Sequence, residues 1–213
     1  MAKLSPPATD ELETPQAILF DIGRVIVRVN LARAFGTLGA QARLSAEQVW
    51  GVIQADPLWR DWQEGRISPR DWHGPLARRL SFPLSFEQFR AAWNSALEPE
   101  TLLGDALFAK LAARYRLVLL SNTDPLHVEH LEANYGFPRY FPARVYSCTV
   151  GTSKPEPAIF ERAIQEAAAA PSQILYVDDA EEYVAAGRRL GLQGYVFQGA
   201  EPFLAELRRR RLL

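Results

Sequence analysis

The chain has 213 residues, 48% of them hydrophobic and 23% charged, which suits one sizeable core with or without a small accessory domain. Its 24 basic and 25 acidic residues give a net charge of -1, which excludes a global field that would attract nucleic acid or an anionic membrane. A single cysteine excludes an internal disulfide, and no apolar run approaches the roughly 18 residues of a membrane span. We therefore expect a cytoplasmic protein without nucleic-acid or membrane partners.

The first predicted strand is the run AILFD, which begins at Ala17 and ends in the carboxylate of Asp21. Residues 1–16 before it are polar, contain three prolines and have no apolar core of a secretion signal, so we expect a loose lead-in. Gly23 stands two residues after Asp21, and the first segment of the predicted core runs to residue 29. The sequence thus places a carboxylate at the tip of a buried strand, with a glycine directly beyond it.

Residues 30–100 contain several helical segments and no clear strand, and all five tryptophans lie there. We predict that this segment is a helical cap, inserted after the first strand and packed as its own small bundle. Most of the tryptophans are expected in the core of the cap. The candidates for facing a site are Trp59, Arg60, Trp62 and Arg66.

Residues 101–213 alternate short apolar runs with helical stretches, and the predicted strands are RLVLLSNT, ARVYS, QILYVDD and QGYVFQG. Strands that read as continuous apolar runs between helices indicate a parallel sheet covered on both faces. We therefore predict a three-layer, Rossmann-like α/β fold with about five parallel strands, formed by residues 17–29 and 101–213.

Polar residues end several of these apolar strands, and the carboxyl ends of parallel strands are where ligands bind. Asp21 ends the first strand, residues 121–123 (Ser-Asn-Thr) end the second, and residues 178–179 (Asp-Asp) end a later one. Lys154 lies just before a helix predicted to start near Pro157. Carboxylates can hold a divalent cation or attack as nucleophiles, and lysine with backbone amides can hold a phosphate.

Four motifs in this order, FDIGRV, LLSNT, SKPEPAIF and YVDDAEEY, resemble the motifs of the haloacid dehalogenase superfamily of hydrolases. The segments WQEGRISPRDW and SFEQFRAAW also resemble the helical cap of its sugar-phosphate phosphatase branch, which includes bacterial alpha-D-glucose-1-phosphate phosphatase and the N-terminal domain of soluble epoxide hydrolase. The resemblance covers about residues 17 to 200. Each motif is weak alone, but four in order at strand ends and helix starts are specific to the superfamily.

The resemblance implies a phosphatase of a small phosphorylated metabolite, such as a sugar 1-phosphate, that works through an aspartyl-phosphate intermediate. Asp21 would be the nucleophile, and Lys154 would neutralise the charges of the nucleophile and the phosphate. Ser121 and the amide of Asn122 would bind the phosphate, with Arg24 as a further substrate contact.

The resemblance also implies a Mg²⁺ ion. Asp179 and Asp21 would bind it through their carboxylates and Gly23 through its backbone carbonyl. Asp178 would be an alternative ligand, or it would support the ligands without binding the metal itself.

The sequence departs from the family pattern at three positions, Gly23, Arg24 and Tyr183, and at the position of Arg24 the branch often has asparagine. Gly23 stands where many of these phosphatases carry a second aspartate that protonates the leaving oxygen, a contribution typically worth roughly 10²- to 10⁴-fold. The glucose-1-phosphate branch also has glycine at this position, so the glycine argues mainly against a generic phosphomonoesterase. Tyr183 stands where a polar group near the metal is common.

Two alternatives stay open beside the phosphatase. A 2-haloacid dehalogenase would also use an aspartate nucleophile and tolerates a non-acidic residue two positions later, although it needs no cation for the Asp178 and Asp179 pair to bind. The third hypothesis is a ligand-binding protein of the same fold in which catalysis has eroded, as Gly23, Arg24 and Tyr183 together suggest.

Overall fold

A computed structural model describes residues 13–81 and 85–213, so the predicted lead-in of residues 1–16 lies largely outside the described residues. The strands, in chain order, are β1 (Ala17–Phe20), β2 (Val27–Val29), β3 (Leu97–Thr101), β4 (Arg116–Ser121), β5 (Ala143–Tyr146), β6 (Ile174–Asp178) and β7 (Gln193–Val196). The helices are α1 (Leu31–Ala42), α2 (Ala46–Gln54), α3 (Trp59–Gln63), α4 (Pro69–Leu80), α5 (Phe86–Asn94), α6 (Asp105–Ala112), α7 (Pro125–Asn134), α8 (Ser147–Val150), α9 (Pro157–Ala167), α10 (Glu181–Arg189) and α11 (Ala200–Arg209). Within the described ranges, no helix is both long and apolar enough to cross a membrane.

Five strands form one parallel sheet in the order β5-β4-β1-β6-β7, which confirms the predicted α/β architecture. β1 is central and buried along its whole length. Its residues alternate between two apolar clusters: Ile18 and Phe20 face the cluster that includes α6 and α11, and Ala17 and Leu19 face the one that includes α9 and α10. This period of two is what a strand covered by helices on both faces requires, and it gives the three layers.

Phe20 anchors the end of β1 that leads into Asp21. Its ring makes edge-to-face contacts with Phe108, Phe141 and Phe203 at centroid distances of 5.6, 5.9 and 5.8 Å. Edge-to-face geometry is favourable for aromatic pairs, and a packed ring fixes the direction in which the strand ends. The carboxylate that follows is therefore presented from a rigid position.

Helices α1 to α5 contribute nearly all of a third apolar cluster, whose centre is the stacked pair Trp62 and Trp72 with ring centroids 3.9 Å apart. The chain leaves the core through β2 and returns through β3, which pair antiparallel with Val27 opposite Thr101. The prediction that residues 30–100 hold no strand was wrong, since β3 begins at Leu97. The run LEPET lacks an apolar pattern, and its strand conformation comes from backbone pairing with β2.

The turn after α3 contacts the loop that leads from β5 towards Lys154. Ser147 Oγ lies 2.9 Å from the carbonyl oxygen of Gln63, and Ser153 Oγ donates a 3.0 Å hydrogen bond to the buried carboxylate of Glu64. Gly65 has a φ of +70°, and a Cβ atom there would lie 1.9 Å from the carbonyl oxygen of Cys148. Only glycine permits both this backbone conformation and this close approach.

We predict that Gly65→Ala lowers the free energy of unfolding by about 1–3 kcal/mol, because the new methyl group must push two backbone segments apart. Gly51→Ala is the matched control: Gly51 lies in α2 with open space around it, and alanine there should raise stability by up to about 1 kcal/mol. Chemical denaturation measures both variants. Equal stability of Gly65→Ala and wild type would contradict the tight packing at this turn.

Candidate active site

Three carboxylates meet where β1 and its neighbour β6 end. One oxygen each from Asp21, Asp178 and Asp179 lies within 4.8 Å of the others. This proximity follows from the sheet, because β1 and β6 are hydrogen-bonded in parallel with Phe20 opposite Val177. Like charges this close raise one another's energy, so the cluster needs a counter-charge.

Lys154 supplies that counter-charge from a buried position. Its ammonium donates hydrogen bonds to Asp21 Oδ1 at 2.9 Å, to Asp178 Oδ2 at 2.6 Å and to the carbonyl oxygen of Leu120 at 3.2 Å. Burial alone would lower the pKa of Lys154, but the two carboxylates outweigh it and the pKa is raised. The side chain is therefore a cation held between two buried carboxylates.

The side chain of Asn122 holds the backbone of Lys154 in place. Its Oδ1 accepts a 2.7 Å hydrogen bond from the Lys154 amide, and its Nδ2 donates one of 2.9 Å to the Lys154 carbonyl. The ring of Tyr183 also lies beside the ammonium, 5.0 Å from Nζ to the ring centroid. Asn122 thus joins the end of β4 to the loop before α9.

Burial raises the pKa of Asp21 to about 6, with Lys154 lowering it and Asp178 raising it further. Desolvation disfavours the charged form of a carboxyl group, so a nearby cation is what keeps it ionised. Lys154 provides one cation, and the carboxylate oxygens of Asp21 and Asp179 are donors suited to a second one of the Mg²⁺ type.

The two adjacent aspartates have different environments. Asp178 is fully buried, and its carboxylate accepts hydrogen bonds from Lys154, from the hydroxyl of Tyr176 at 2.5 Å and from the Ala180 amide at 2.9 Å. The side chain of Asp179 is 24% exposed and lies 3.4 Å from Nη1 of Arg24. Both oxygens of Asp178 are thus occupied by the chain's own donors, whereas Asp179 faces the cavity.

Gly23 lies in a tight turn after Asp21, in which the amides of Ile26 and Val27 both donate to the carbonyl oxygen of Ile22. A Cβ atom at Gly23 would meet only Val29 Cγ2, at an ordinary contact distance of 3.4 Å. The turn therefore has room for a Cβ atom at position 23, and close packing does not require glycine there. Arg24, next in the turn, adopts a left-handed backbone with a φ of 58°.

A cavity of about 290 Å³ opens over this edge of the sheet. The structure brings most of the predicted site residues to its lining: Asp21, Gly23, Arg24, Ser121, Asn122, Lys154 and Asp179. Asp178 does not line the cavity and lies behind Lys154. The opposite side is apolar and comes largely from the inserted helices, through Leu31, Phe35, Trp50, Trp59 and Trp93.

Of the four candidates from the inserted segment, only Trp59 lines the cavity. Trp62 is fully buried against Trp72, because it lies on the inner face of α3. Arg60 and Arg66 instead bind the buried carboxylate of Glu64. For these three residues the prediction of a site-facing position was wrong.

Sequence reasoning also missed residues on the cavity wall, chiefly Asp124, His127 and Trp93. A signal was present for one of them: the pair Asp124-Pro125 directly after the SNT motif is a typical helix start, with aspartate as N-cap and proline at the first helical position. Oδ1 of Asp124 accepts hydrogen bonds from the amides of Leu126 and His127, as such a cap does.

Comparisons of the sequence and of the structure with known proteins both find similar proteins. A family model described as haloacid dehalogenase-like hydrolase matches residues 16–191. D-ribitol-5-phosphate phosphatase of Bacteroides thetaiotaomicron is 26% identical over 202 residues, which cover 89% of this chain and 95% of the relative.

Two solved structures share the fold. A haloacid dehalogenase (HAD) family enzyme of Bacteroides thetaiotaomicron, in complex with magnesium and inorganic phosphate, has a TM-score of 0.79 at 24% identity. The match covers 87% of this chain and 96% of that enzyme's chain. A HAD-like family hydrolase of Porphyromonas gingivalis has a TM-score of 0.76 at 26% identity, covering 92% and 98%.

We predict that Lys154→Met lowers the free energy of unfolding by about 3–5 kcal/mol at neutral pH, because it leaves two buried carboxylates without their cation. Lys110→Met on the exposed face of α6 is the matched control and should change stability by less than about 0.5 kcal/mol. Urea denaturation at pH 7.5 measures both. A wild-type stability for Lys154→Met would show that the carboxylates do not depend on this ammonium.

Proposed function

The chain belongs to the haloacid dehalogenase-like hydrolases, and we propose that within this family it is a Mg²⁺-dependent phosphatase of a small phosphorylated metabolite. The observation that carries the proposal is the placement of Asp21: a strand-end carboxylate that faces a cavity, with the buried ammonium of Lys154 2.9 Å away. A carboxylate so placed can attack a phosphorus atom, while the cation offsets the negative charge that the phosphate brings.

Asp21, Asp179 and the backbone carbonyl of Gly23 would hold the metal ion. All three are hard oxygen donors, and the carboxylates already lie within the 4.8 Å cluster. Asp178 fits a supporting role better, since its oxygens are taken by Lys154, Tyr176 and the Ala180 amide. A bound Mg²⁺ would neutralise phosphate charge and help to keep Asp21 ionised.

The proposed reaction uses Asp21 twice. Oδ1 of Asp21 is held by Lys154, which makes Oδ2 the candidate attacking atom. In the first step Oδ2 bonds to phosphorus, the bond from phosphorus to the ester oxygen breaks, and the leaving oxygen takes a proton from water. In the second step water attacks phosphorus, the bond from phosphorus to Oδ2 breaks, inorganic phosphate is released and free Asp21 is regenerated. Ser121, the Asn122 amide and Lys154 would bind the phosphate oxygens during both steps.

The substrate class follows from the size and lining of the cavity. A volume of about 290 Å³ suits a molecule of a few carbons carrying one phosphate. The relative that hydrolyses D-ribitol 5-phosphate supports a phosphorylated sugar or polyol. A sugar 1-phosphate, the substrate type of the branch that the motifs resemble, also fits this description.

We predict that Asp179→Asn raises the Mg²⁺ concentration for half-maximal phosphatase activity by about tenfold or more, because a neutral amide is a weaker ligand for Mg²⁺. Asp178→Asn is the matched comparison: it should lower kcat by disturbing Lys154 and leave the Mg²⁺ requirement within about threefold of wild type. Magnesium titrations with a panel of sugar and polyol phosphates measure both variants.

Equal shifts in the Mg²⁺ requirement for the two variants would make Asp178 a ligand and contradict this division of roles. Full activity in excess chelator, together with release of chloride from 2-chloropropionate, would replace the phosphatase by a haloacid dehalogenase. Absence of turnover with every ester and with 2-chloropropionate would favour the ligand-binding protein.

We predict that wild-type rates rise steeply as the leaving group becomes more acidic, because position 23 offers no acid to protonate the leaving oxygen. Anomeric and acyl phosphates should therefore turn over faster than primary-alcohol phosphates such as a hexose 6-phosphate. Gly23→Asp should raise kcat for poor leaving groups by about tenfold or more and leave good ones nearly unchanged. A Cβ atom at position 23 is accommodated, since it would meet only Val29 at 3.4 Å.

The measurement is a series of phosphate esters graded by leaving-group pKa, assayed with wild type and Gly23→Asp. Asp21→Asn is the control and should abolish turnover of every ester. Wild-type rates that do not depend on leaving-group pKa while chemistry limits turnover would mean that another group donates the proton.

A further inference from the structure

A buried ion pair lies in the cavity wall beyond the proposed phosphate site. Nδ1 of His127 lies 2.9 Å from Oδ2 of Asp124, and both residues line the cavity. Neither contacts the carboxylate cluster in the contacts described above, so the proposed hydrolysis leaves their role unassigned. Buried charged pairs are costly to desolvate, so this pair lowers stability unless its other contacts compensate.

The pair is connected to the inserted helices through one residue, Trp93 at the end of α5. Its indole Nε1 donates a 3.0 Å hydrogen bond to Oδ2 of Asp124, and its carbonyl oxygen lies 3.2 Å from Nε2 of His127. The His127 and Trp93 rings are nearly parallel, at 19° with centroids 5.6 Å apart. Two polar contacts and a ring contact therefore fix Trp93 against the start of α7.

The hydrogen bonds indicate that His127 is an imidazolium. Both of its ring nitrogens face acceptors, the Asp124 carboxylate and the Trp93 carbonyl, and only the protonated ring can donate to both. Burial alone would lower the pKa of His127, but Asp124 outweighs it and the pKa is raised. Burial would likewise raise the pKa of Asp124, and His127 reverses this, so the pKa of Asp124 is lowered.

The other titratable groups around the pair do not compete for its proton. His130, one turn later on α7, has its pKa lowered by burial and by His127. Cys148 on α8 has its pKa raised to about 12 by burial and by Asp124, so its thiol stays neutral. Neither His130 nor Cys148 therefore takes the proton that Asp124 and His127 share.

We infer that Asp124 and His127 are positioning residues, which clamp Trp93 against the core and so build the apolar wall that contacts the leaving group. This inference rests on the proposed phosphatase function. Trp93 lines the cavity, with Trp59 6.1 Å from it between ring centroids and Phe35 6.0 Å. Such a wall recognises a leaving group with an extended apolar face, such as an aryl group or the C–H face of a sugar ring. A leaving group of two carbons would not depend on it.

The test compares two phosphates with good leaving groups, p-nitrophenyl phosphate and acetyl phosphate, in saturating Mg²⁺. His127→Gln removes the charge and one of the two ring donors, and Asp124→Asn keeps an N-cap residue while losing the charge. Each variant should raise KM for p-nitrophenyl phosphate by about tenfold, the equivalent of one charge-assisted hydrogen bond, with kcat within threefold. The kcat/KM for acetyl phosphate should stay within threefold. His130→Gln is the matched control on the same helix and should change neither substrate.

The pH dependence gives a second readout that a purely structural role would not move. Since the pKa of His127 is raised on folding, the ion pair is complete below the ordinary histidine pKa of about 6.5 and is lost as pH rises through the folded value. KM for p-nitrophenyl phosphate should therefore rise over that range in wild type, and this rise should be missing in His127→Gln. Equal effects on both phosphates, or no effect in a folded variant, would overturn the inference.

Histidine NMR titration tests the pair without any turnover. The chain has 3 histidines, so the His127→Gln and His130→Gln variants assign the signals. His127 should titrate above about 6.5 in wild type and fall back in Asp124→Asn. A pKa of His127 at or below the ordinary histidine value in wild type would overturn the positioning role of the ion pair even if the enzyme is active. Absence of turnover with both phosphates would instead overturn the proposed function. The titration would still show whether His127 and Asp124 form an ion pair.

Discussion

The buried ammonium of Lys154 is the contact on which the geometry of the candidate site depends. It binds Asp21 after β1, Asp178 at the end of β6 and the Leu120 carbonyl of β4, and these strands are neighbours in the sheet. A single cation thus joins three adjacent strand ends. Burying an ammonium is costly unless its donors are satisfied, and here each of its three N–H groups has an acceptor. The hydrogen bond from this ammonium to Asp21 also fixes the direction in which the Asp21 carboxylate points at the cavity.

This arrangement explains how two neighbouring aspartates acquire different chemistry. Asp178 ends β6 with its side chain turned towards Lys154 and Tyr176, so its oxygens are consumed inside the protein. Asp179 is one residue further along, and the reversal of side-chain direction along an extended chain sends it to the cavity. The sequence pair reads as one acidic patch, but strand geometry separates it into a structural group and an available ligand.

Much of the core and of the polar edge was predictable, because both depend on local patterns. Apolar runs ended by polar residues indicate a parallel sheet and its ligand-binding edge. The inserted helices were harder, because periodicity says that tryptophans are buried but not against what. Trp59 and Trp62 are three residues apart on α3, yet one lines the cavity and the other stacks inside the helical cluster. β3 was missed because backbone pairing with β2 determines it. The contact between Asp124 and Trp93 joins residues 31 positions apart, which no local pattern encodes.

The end of β4 shows why so much of the site comes from so few consecutive residues. Ser121 lines the cavity, and the side chain of Asn122 binds the backbone of the loop before α9. The amide of Thr123 donates to a hydroxyl on α8, the same hydroxyl that lies against the inserted helices. Asp124 caps α7 with one oxygen and binds the indole of α5 with the other. As the chain leaves the strand, successive residues face different directions, so one short segment reaches the proposed phosphate site, the loop that holds Lys154 and the cavity wall. A substitution in this segment therefore acts on the neighbouring element that its side chain contacts, and adjacent residues can affect different steps of the same reaction.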